Sequence, residues 1–277
     1  MLVDGKKISE EIKESLKQEI KRNQLKLKLA IVEVGSGEAS DKFIERKIKF
    51  AEEIGVKTRI YKLSSDISNT QLRKKMAEIN HIKENDGVIL QLPLPSHIKT
   101  QYILNGITLK KDVDVLSSRA FGNFATGHFK VLPPVVGAIK IIFEKYNVDI
   151  KNKNIVVVGA GKLVGKPVAI WLINQGATVS VLNEFTSDLT EFIKKADIVI
   201  SGAGKPGLIS SEMVKDGVII MDAGTTKPGF VATKPGFFGD VDPDVKEKAS
   251  LFTPVPGGIG PLTVAMVFKN LIELNKR

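Results

Sequence analysis

The sequence predicts an α/β fold made of two domains. Short apolar stretches with strand character alternate with longer amphipathic stretches of helical character along most of the chain. With 277 residues, 43% of them hydrophobic, the chain is long enough to bury a sizeable core and to divide into two domains. In the second half, one apolar strand runs directly into a glycine-rich turn and then a helix, an order typical of a doubly wound parallel sheet.

The first half alternates between helix and strand patterns. Ile8, Ile12, Leu16 and Ile20 recur every four residues, which predicts a helix with one buried face. The other elements predicted here are a strand over Lys28 to Val34, a helix over Ala39 to Ile54, a strand over Ile60 to Leu63, a helix over Ser68 to Asn80 and a strand over Gly87 to Gln91. This alternation indicates βαβ units and a parallel sheet.

The second half repeats the pattern around a glycine-rich turn. Its predicted helices cover Pro134 to Tyr146 and Val164 to Asn174, and its predicted strands cover Asn154 to Val158, Thr178 to Leu182, Ile198 to Ser201 and Val218 to Asp222. The turn, GAGKLVGKP at residues 159–167, joins the first of these strands to its helix. Glycines let the backbone approach a phosphate, and a helix N-terminus presents free N–H groups, so we expect a nucleotide site here. The alternative is a tight turn without a ligand.

A second restrictive segment, TPVPGGIGPLT, covers Thr253 to Thr263. It contains three prolines and three glycines, and we expect it to form neither a regular helix nor a strand. Such a run favours a ligand-facing loop, with a rigid interdomain turn as the alternative.

Composition excludes several classes of function. The net charge is +10, but lysines alternate with glutamates along helical stretches, which favours a solvated surface over a nucleic-acid interface. The chain has no cysteine and only three scattered histidines, so we expect no disulfide and no metal site. No apolar run approaches the roughly 18 residues of a membrane span and no signal-peptide pattern opens the chain, so we expect a cytoplasmic protein without a membrane partner.

The glycine-rich turn also carries a family resemblance. VVVGAGKLVGKP resembles the GxSxxVGxP turn of the bifunctional methylenetetrahydrofolate dehydrogenase and methenyltetrahydrofolate cyclohydrolase enzymes. The other family motifs resemble VGSGEASDKFIERKIKFAEEIGV at 34–56, QLPLP at 91–95, KDVD at 111–114 and TPVPGGIGPLT at 253–263, so the resemblance covers nearly the whole chain. It implies a folate-binding catalytic domain made of residues 1–120 with 259–277, and a Rossmann-like dinucleotide-binding domain at 121–258. It also implies a homodimer.

The implied reaction is oxidation of 5,10-methylenetetrahydrofolate to the 5,10-methenyl form with NAD or NADP, followed by hydrolysis to 10-formyltetrahydrofolate. The resemblance makes Lys47 the acid/base of the hydrolysis, Gln91 the residue that holds this lysine, and Asp114 the residue that grips the pterin. The methenyl intermediate is a cation, so a lysine beside it would have a lowered pKa and a neutral amine able to take a proton from water. The implied substrate-binding residues are Phe43, Pro256, Gly257, Gly258 and Thr263.

The implied cofactor contacts are Gly159, Gly161, Lys162, Leu163, Val164, Gly165, Asn183, Glu184, Gly202, Ala203, Gly204 and Thr225. Gly165 falls one residue later than the third glycine of GxGxxG, so the turn is a variant. Glu184 follows a predicted strand, where an acidic residue bonds a ribose 2′-hydroxyl and repels a 2′-phosphate. We therefore predict a weak preference for NAD, against which Lys162 and Lys166 count.

The chain departs from the family pattern at two further places. Phe43 replaces the usual tyrosine four residues before the lysine, so hydrolysis is expected to weaken more than hydride transfer. Leu132-Pro133-Pro134-Val135 replaces the PCTP stretch, and Ala120 replaces an asparagine. The alternatives are a paralogue that acts on another pterin, and an inactive folate- or nucleotide-binding regulator. The joint presence of Lys47, Gln91 and Asp114 favours an active enzyme.

Overall fold

The computed structural model describes residues 1–35, 38–226 and 238–276, without the side chains of 38–40. Its α-helices are α1 (Gly5–Arg22), α2 (Glu38–Ile54), α3 (Asn69–His81), α4 (Thr100–Leu104), α5 (Ser118–Ala125), α6 (Pro134–Lys145), α7 (Gly165–Asn174), α8 (Leu189–Lys195) and α9 (Ile259–Asn275). Its strands are β1 (Lys28–Val34), β2 (Lys57–Leu63), β3 (Gly87–Leu90), β4 (Asn154–Val158), β5 (Thr178–Leu182), β6 (Ile198–Ser201), β7 (Ile219–Asp222) and β8 (Leu251–Phe252).

The chain forms two compact units. One, the catalytic unit, consists of Glu10–Pro134 and Val264–Arg277. The other, the nucleotide unit, consists of Met1–Ser9 and Val135–Thr263. The division falls at other residues than the boundaries suggested by the sequence, and domains at 1–120 with 259–277 and at 121–258 stay a prediction.

The catalytic unit is built on a three-stranded parallel sheet in the order β2-β1-β3. Successive residues of β1 face opposite sides of this sheet, as the strand geometry requires. Leu29 and Ile31 pack in a cluster with residues of α1, α2 and α9. Ala30 and Val32 pack in a second cluster with residues of α3 and α4. Both faces are therefore covered, which explains the almost continuous apolar sequence of β1.

The nucleotide unit contains a five-stranded parallel sheet in the order β5-β4-β6-β7-β8. The chain leaves β4 toward β5 on one side and returns to β6 on the other side of β4. This reversal makes the carboxyl ends of β4 and β6 a topological switch point, where open α/β sheets bind ligands. Helix α7 contacts β4 and β5, and the Trp171 ring on α7 lies 6.0 Å from the Phe143 ring on α6.

Most predicted elements are confirmed, and one expectation is wrong. Strands β1, β4, β5 and β6 have the predicted bounds, while the short helices α4, α5 and α8 and the two-residue β8 were not predicted. The run Thr253 to Thr263 was expected to contain no regular structure, but α9 begins inside it at Ile259. Pro261 lies in the first turn of α9, where a missing N–H costs no helical hydrogen bond, so the proline is compatible with the helix.

Candidate functional site

Lys47 and Gln91 lie together in the catalytic unit. Gln91 directly follows β3, and its backbone N–H donates to the Val32 carbonyl at 2.8 Å, which fixes it at the carboxyl end of the sheet. The Lys47 Nζ on α2 donates to Gln91 Oε1 at 2.8 Å. The Gln91 Nε2 donates to the Leu92 carbonyl at 2.9 Å. Since the amide nitrogen is held by a carbonyl, the amide oxygen is turned toward the lysine.

The environment of Lys47 favours the neutral amine. Burial lowers the pKa of Lys47 below its usual value, and the Asp114 carboxylate acts in the opposite direction. Gln91 accepts a hydrogen bond without adding a negative charge, so it holds the amine without stabilising the ammonium as a carboxylate would. A partly buried amine of lowered pKa at the carboxyl end of a parallel sheet gives up its proton more readily than an exposed lysine, which suits it to proton transfer.

Asp114 lies beside this pair, in a turn fixed by a second aspartate. Asp112 is fully buried, and its carboxylate accepts from the Leu116 N–H at 3.1 Å and the Ser117 N–H at 2.8 Å. Between them Val115 has φ +59°, a left-handed conformation that is strained for a β-branched residue. Burial raises the pKa of Asp114 to about 6, with Lys47 lowering it and Asp112 raising it. Within the described ranges no donor bonds the Asp114 carboxylate, which leaves it open to a ligand.

Phe43 lies one helical turn before Lys47 on α2 and is partly buried. The Arg46 guanidinium lies 5.8 Å from the centre of its ring. Phe43 has no hydroxyl to offer to the neighbouring lysine. Ser36 and Gly37, from the same predicted motif, lie outside the described residues.

In the nucleotide unit, the turns after β4 and β6 touch through glycines. A Cβ added to Gly159 would lie 2.7 Å from the Gly202 carbonyl oxygen, and one added to Gly165 would lie 1.7 Å from the Gly159 oxygen. A Cβ on Gly202 would meet the Val164 side chain at 2.3 Å. The backbones therefore approach as closely as only glycine allows, beside the start of α7. This arrangement at a switch point and helix N-terminus fits the phosphates of a dinucleotide.

The other predicted cofactor residues surround these turns. Gly161, Lys162, Leu163, Asn183, Glu184, Ala203, Gly204 and Thr225 are exposed, and Val164 is partly buried. The loop after β5 is shaped by Asn183, whose Oδ1 accepts from the Phe185 N–H at 2.9 Å and whose N–H donates to Thr186 Oγ1 at 3.1 Å. Glu184 therefore lies in a defined turn just beyond β5.

The run of prolines and glycines, Thr253 to Thr263, lies entirely in the nucleotide unit and contacts the N-terminal segment. The Val3 N–H donates to the Phe252 carbonyl at 2.9 Å. A Cβ added to Gly5 would lie 1.8 Å from the Gly258 oxygen. Gly257 has φ +109°, accessible to glycine. The other two predicted residues of the run differ in their environment: Pro256 is exposed, and Thr263 Oγ1 donates to the Gly260 carbonyl at 2.7 Å.

Four residues at these sites were missed from the sequence: Gly5, Asp112, Asp222 and Asp240. Asp222 ends the apolar strand β7, and a charged residue at the carboxyl end of a buried strand is a usable signal. Asp112 stands inside the KDVD motif. Gly5 and Asp240 owe their importance to contacts with distant segments, which no local pattern indicates.

Neither a metal-ligating cluster nor a membrane-spanning helix is found among the described residues. No group of three or more His, Cys, Asp or Glu side chains among them is arranged to hold a metal ion. Among the helices within these ranges, none has both the length and the apolar character needed to cross a membrane.

Comparison with known proteins covers the full chain. Residues 3–114 match the model of the tetrahydrofolate dehydrogenase/cyclohydrolase catalytic domain, and residues 133–277 match that of the NAD(P)-binding domain. The bifunctional protein FolD of Hydrogenobaculum sp. is 37% identical over 279 residues, 100% of this chain and 99% of the relative.

Two solved structures are similar throughout. The bifunctional FolD of Campylobacter jejuni has a TM-score of 0.92 at 37% identity, over 99% of this chain and 98% of that one. The FolD of Trypanosoma brucei, complexed with NADP and an inhibitor, also has a TM-score of 0.92, at 31% identity over 99% of this chain and 96% of that one.

Proposed function

The chain belongs to the tetrahydrofolate dehydrogenase/cyclohydrolase family, and we propose that it oxidises 5,10-methylenetetrahydrofolate and hydrolyses the methenyl product to 10-formyltetrahydrofolate. The observation that supports this most directly is the Lys47–Gln91 hydrogen bond beside an open Asp114. A carboxylate that no hydrogen-bond donor of the described residues contacts, beside a partly buried amine of lowered pKa, suits the binding of a pterin and the transfer of a proton.

When bound, a nicotinamide cofactor would supply the hydride acceptor for the one-carbon bridge between N5 and N10. The Asp114 carboxylate would hold the pterin by accepting hydrogen bonds from its amidine-like N–H edge. The glycine turns of the nucleotide unit would hold the cofactor phosphates through backbone N–H groups.

In the hydrolytic step, water adds to the cationic methenyl carbon and both of its protons must leave the oxygen. The first leaves as the carbinol forms, and the second passes to solvent when the carbon–nitrogen bond breaks and the formyl C=O forms. The neutral Lys47 amine accepts the first proton, and Gln91 keeps the amine pointed toward the reacting carbon. Opening of the ring then requires a proton on the departing nitrogen, which the Lys47 ammonium returns. The lysine therefore ends the step neutral, as it began.

The test measures methenyl formation and its hydrolysis separately by absorbance. We expect Lys47→Ala to lower the hydrolysis rate by about 10²- to 10⁴-fold, since that is the usual contribution of general acid–base catalysis. Lys49→Ala on the exposed side of α2 is the matched control and should leave hydrolysis unchanged. An unchanged rate in Lys47→Ala would overturn the lysine's role. Absence of any methenyl product with NAD or NADP would instead favour an inactive folate-binding regulator.

Phe43 sets the balance between the two activities in this proposal. Because Phe43 offers no hydroxyl one helical turn from Lys47, hydrolysis is slow relative to hydride transfer. Phe43→Tyr is expected to raise the hydrolysis rate while leaving methenyl formation within about twofold. Equal hydrolysis rates in Phe43→Tyr and the parent enzyme would show that the hydroxyl is not limiting.

We further propose a preference for NAD over NADP, supported by Glu184 in its turn beyond β5. The carboxylate accepts from a ribose 2′-hydroxyl and repels a 2′-phosphate. The ratio of kcat/KM for the two cofactors tests this, and Glu184→Gln should move the ratio toward NADP. A strong NADP preference in the parent enzyme contradicts the proposal.

The homodimer implied by the sequence is also a proposal. Strand β5 is an edge strand, and Ile173, Val181 and Phe185 near it are exposed apolar side chains, which suits an interface between copies. Val181→Lys should convert a dimer to a monomer in light scattering, and a parent protein that is already monomeric would rule the interface out. The cytoplasmic location stays a prediction.

A further inference from the structure

Asp240 collects three hydrogen bonds from the segment that ends β6. Its Oδ2 accepts from the Ser201 hydroxyl at 2.7 Å and from the Ala203 N–H at 2.7 Å, and its Oδ1 accepts from the Lys205 N–H at 2.8 Å. Asp240 is fully buried, and the donors lie 35 to 39 positions earlier in the chain. One buried side chain therefore holds two backbone amides, those of Ala203 and Lys205, which are both exposed residues.

This loop, Gly202 to Lys205, is part of the switch point. Its first two residues approach the turn after β4, since a Cβ on Gly159 would lie 2.7 Å from the Gly202 carbonyl oxygen and 2.9 Å from the Ala203 nitrogen. Gly204 has φ +68°, so the loop turns sharply between the two amides that Asp240 binds. Displacement of the loop would change the spacing of the two glycine turns, because their backbones are already in contact.

A second buried carboxylate holds Asp240 in turn. Asp222, at the end of β7, accepts from the Gly224 N–H at 2.9 Å, the Asp240 N–H at 3.2 Å and the Val241 N–H at 3.0 Å. The Asp222 N–H donates to Thr253 Oγ1 at 2.7 Å. A chain of bonds thus runs from β7 through Asp222 and Asp240 to the loop after β6.

Burying two neighbouring carboxylates has an electrostatic cost. Burial raises the pKa of Asp222 to about 6, and the negative charge of Asp240 acts in the same direction, while the backbone N–H groups oppose both. Within the described ranges neither aspartate has an ion-pair partner. Backbone N–H dipoles therefore provide the main compensation for the two buried negative charges. Loss of the Ala203 and Lys205 amides would leave the Asp240 carboxylate buried without that compensation.

We infer that Asp240, supported by Asp222, is a positioning residue that holds the Gly202–Lys205 loop in the geometry required for dinucleotide binding. The inference rests on the proposed dehydrogenase function for the identity of the ligand. It assigns the aspartate no contact with the cofactor and no proton transfer. Asp240 pre-organises the backbone of Gly202, Ala203 and Gly204, which the family resemblance implies are cofactor contacts.

The test compares Asp240→Asn with Asp244→Asn, an exposed aspartate in a nearby turn that loses the same charge. Asparagine offers one acceptor oxygen and directs an NH₂ group toward other donors, so it cannot serve all three. In the ligand-free protein we expect amide hydrogen exchange at Ala203 and Lys205 to accelerate at least about tenfold in Asp240→Asn, because the carboxylate oxygens that accept from these amides are no longer both present. Asp244→Asn should leave both amides unchanged.

Binding is then measured by titration with NAD and NADP, and KM for the folate is determined separately. Asp240→Asn should weaken dinucleotide binding about tenfold or more and leave the folate KM within about twofold. Unchanged exchange, or faster exchange with unchanged dinucleotide affinity, would overturn the inference. If the parent protein binds neither dinucleotide, the proposed function fails, while exchange at Ala203 and Lys205 still decides whether Asp240 orders the loop.

Ser201→Ala covers the case in which Asp240→Asn does not fold. It removes only the hydroxyl that orients the Asp240 carboxylate and keeps both amide donors. A two- to fivefold weaker dinucleotide affinity with an unchanged folate KM is the expected result, and an unchanged dinucleotide affinity in this variant would also count against the inference.

Discussion

Asp114 in the catalytic unit is partly buried and Asp240 in the nucleotide unit is fully buried, and their hydrogen bonding differs completely. Asp240 accepts from Ser201, Ala203 and Lys205, while the described residues provide no donor to Asp114. A carboxylate filled by backbone amides is committed to holding the chain. A carboxylate left open, with a raised pKa and an amine nearby, is available to a ligand. The number of filled acceptor positions therefore separates a structural acid from a binding one.

The two units also use opposite means to build a site. The catalytic unit projects ionisable side chains, Lys47 and Asp114, from a helix and a turn at the end of a parallel sheet. The nucleotide unit removes side chains, so that backbones meet at Gly159, Gly165 and Gly202. A substitution in the first site should therefore affect chemistry with little loss of fold, and one in the second should affect fold and binding together.

The largest effect is expected for Gly165→Ala. Its new Cβ would lie 1.7 Å from the Gly159 carbonyl oxygen, and backbone cannot move aside as a flexible side chain would. We expect the free energy of unfolding to fall by about 3 kcal/mol, as for severe overpacking, and dinucleotide affinity to be lost. Chemical denaturation and cofactor titration measure the two effects.

Gly161→Ala is the matched control in the same turn, because nothing lies within 4 Å of its added Cβ. This variant should stay within about 0.5 kcal/mol of the parent protein. Equal effects of the two substitutions would mean that the close backbone approach does not shape the nucleotide unit.

The sequence predicted the backbone of both sites better than their internal supports. Strands β4 and β6 were predicted to the residue because each contains a continuous apolar run, IVVV and IVI, and β5 because its β-branched sequence TVSVL lies between Gly176 and Asn183. Helix α4 was missed since five residues contain little more than one helical period. Lys47 and Gln91 could be selected from motifs, whereas Asp240 could not, because its three donors come from 35 to 39 positions away. Long-range pairing of that kind leaves no local pattern.

An intermediate effect on the free energy of unfolding is expected from Asp114→Asn, and its direction is opposite to that of Asp240→Asn. The Asp114 pKa is raised from 3.8 to about 6, so the folded chain holds the proton more tightly and its stability falls as the pH rises through about 6. At pH 7.5 the variant is therefore expected to be more stable than the parent, by at most about 3 kcal/mol. Asp240→Asn should instead be less stable at that pH. Thermal unfolding of both variants tests this opposition.

The same group should also appear in the kinetics. If the ionised Asp114 binds the pterin, kcat/KM for the folate falls by about tenfold per pH unit below about 6 in the parent enzyme. Asp114→Asn should have a low kcat/KM without this acid limb. Retention of the limb in the variant would assign it to another group and remove the functional reason for an open carboxylate at this position.

The smallest effect on the free energy of unfolding is expected in the turn that orients Asp114. Val113 and Val115 flank it, and both are fully buried, but only Val115 has a positive φ, +59°. A left-handed conformation costs a non-glycine residue about 1–2 kcal/mol, and glycine adopts it without that strain. Val115→Gly should therefore lower the free energy of unfolding by about 1–2 kcal/mol less than Val113→Gly, although each loses the burial of one valine side chain.

Denaturant titration of the two valine variants measures this difference directly, because cavity and entropy contributions are similar and largely cancel. If Val115→Gly is as destabilising as Val113→Gly, the left-handed conformation of Val115 does not lower the free energy of unfolding of the parent protein. If the predicted difference is found and kcat/KM for the folate falls in Val115→Gly but not in Val113→Gly, the strained conformation of Val115 also orients Asp114. The bonds from Asp112 to Leu116 and Ser117 would then be what holds that conformation in place.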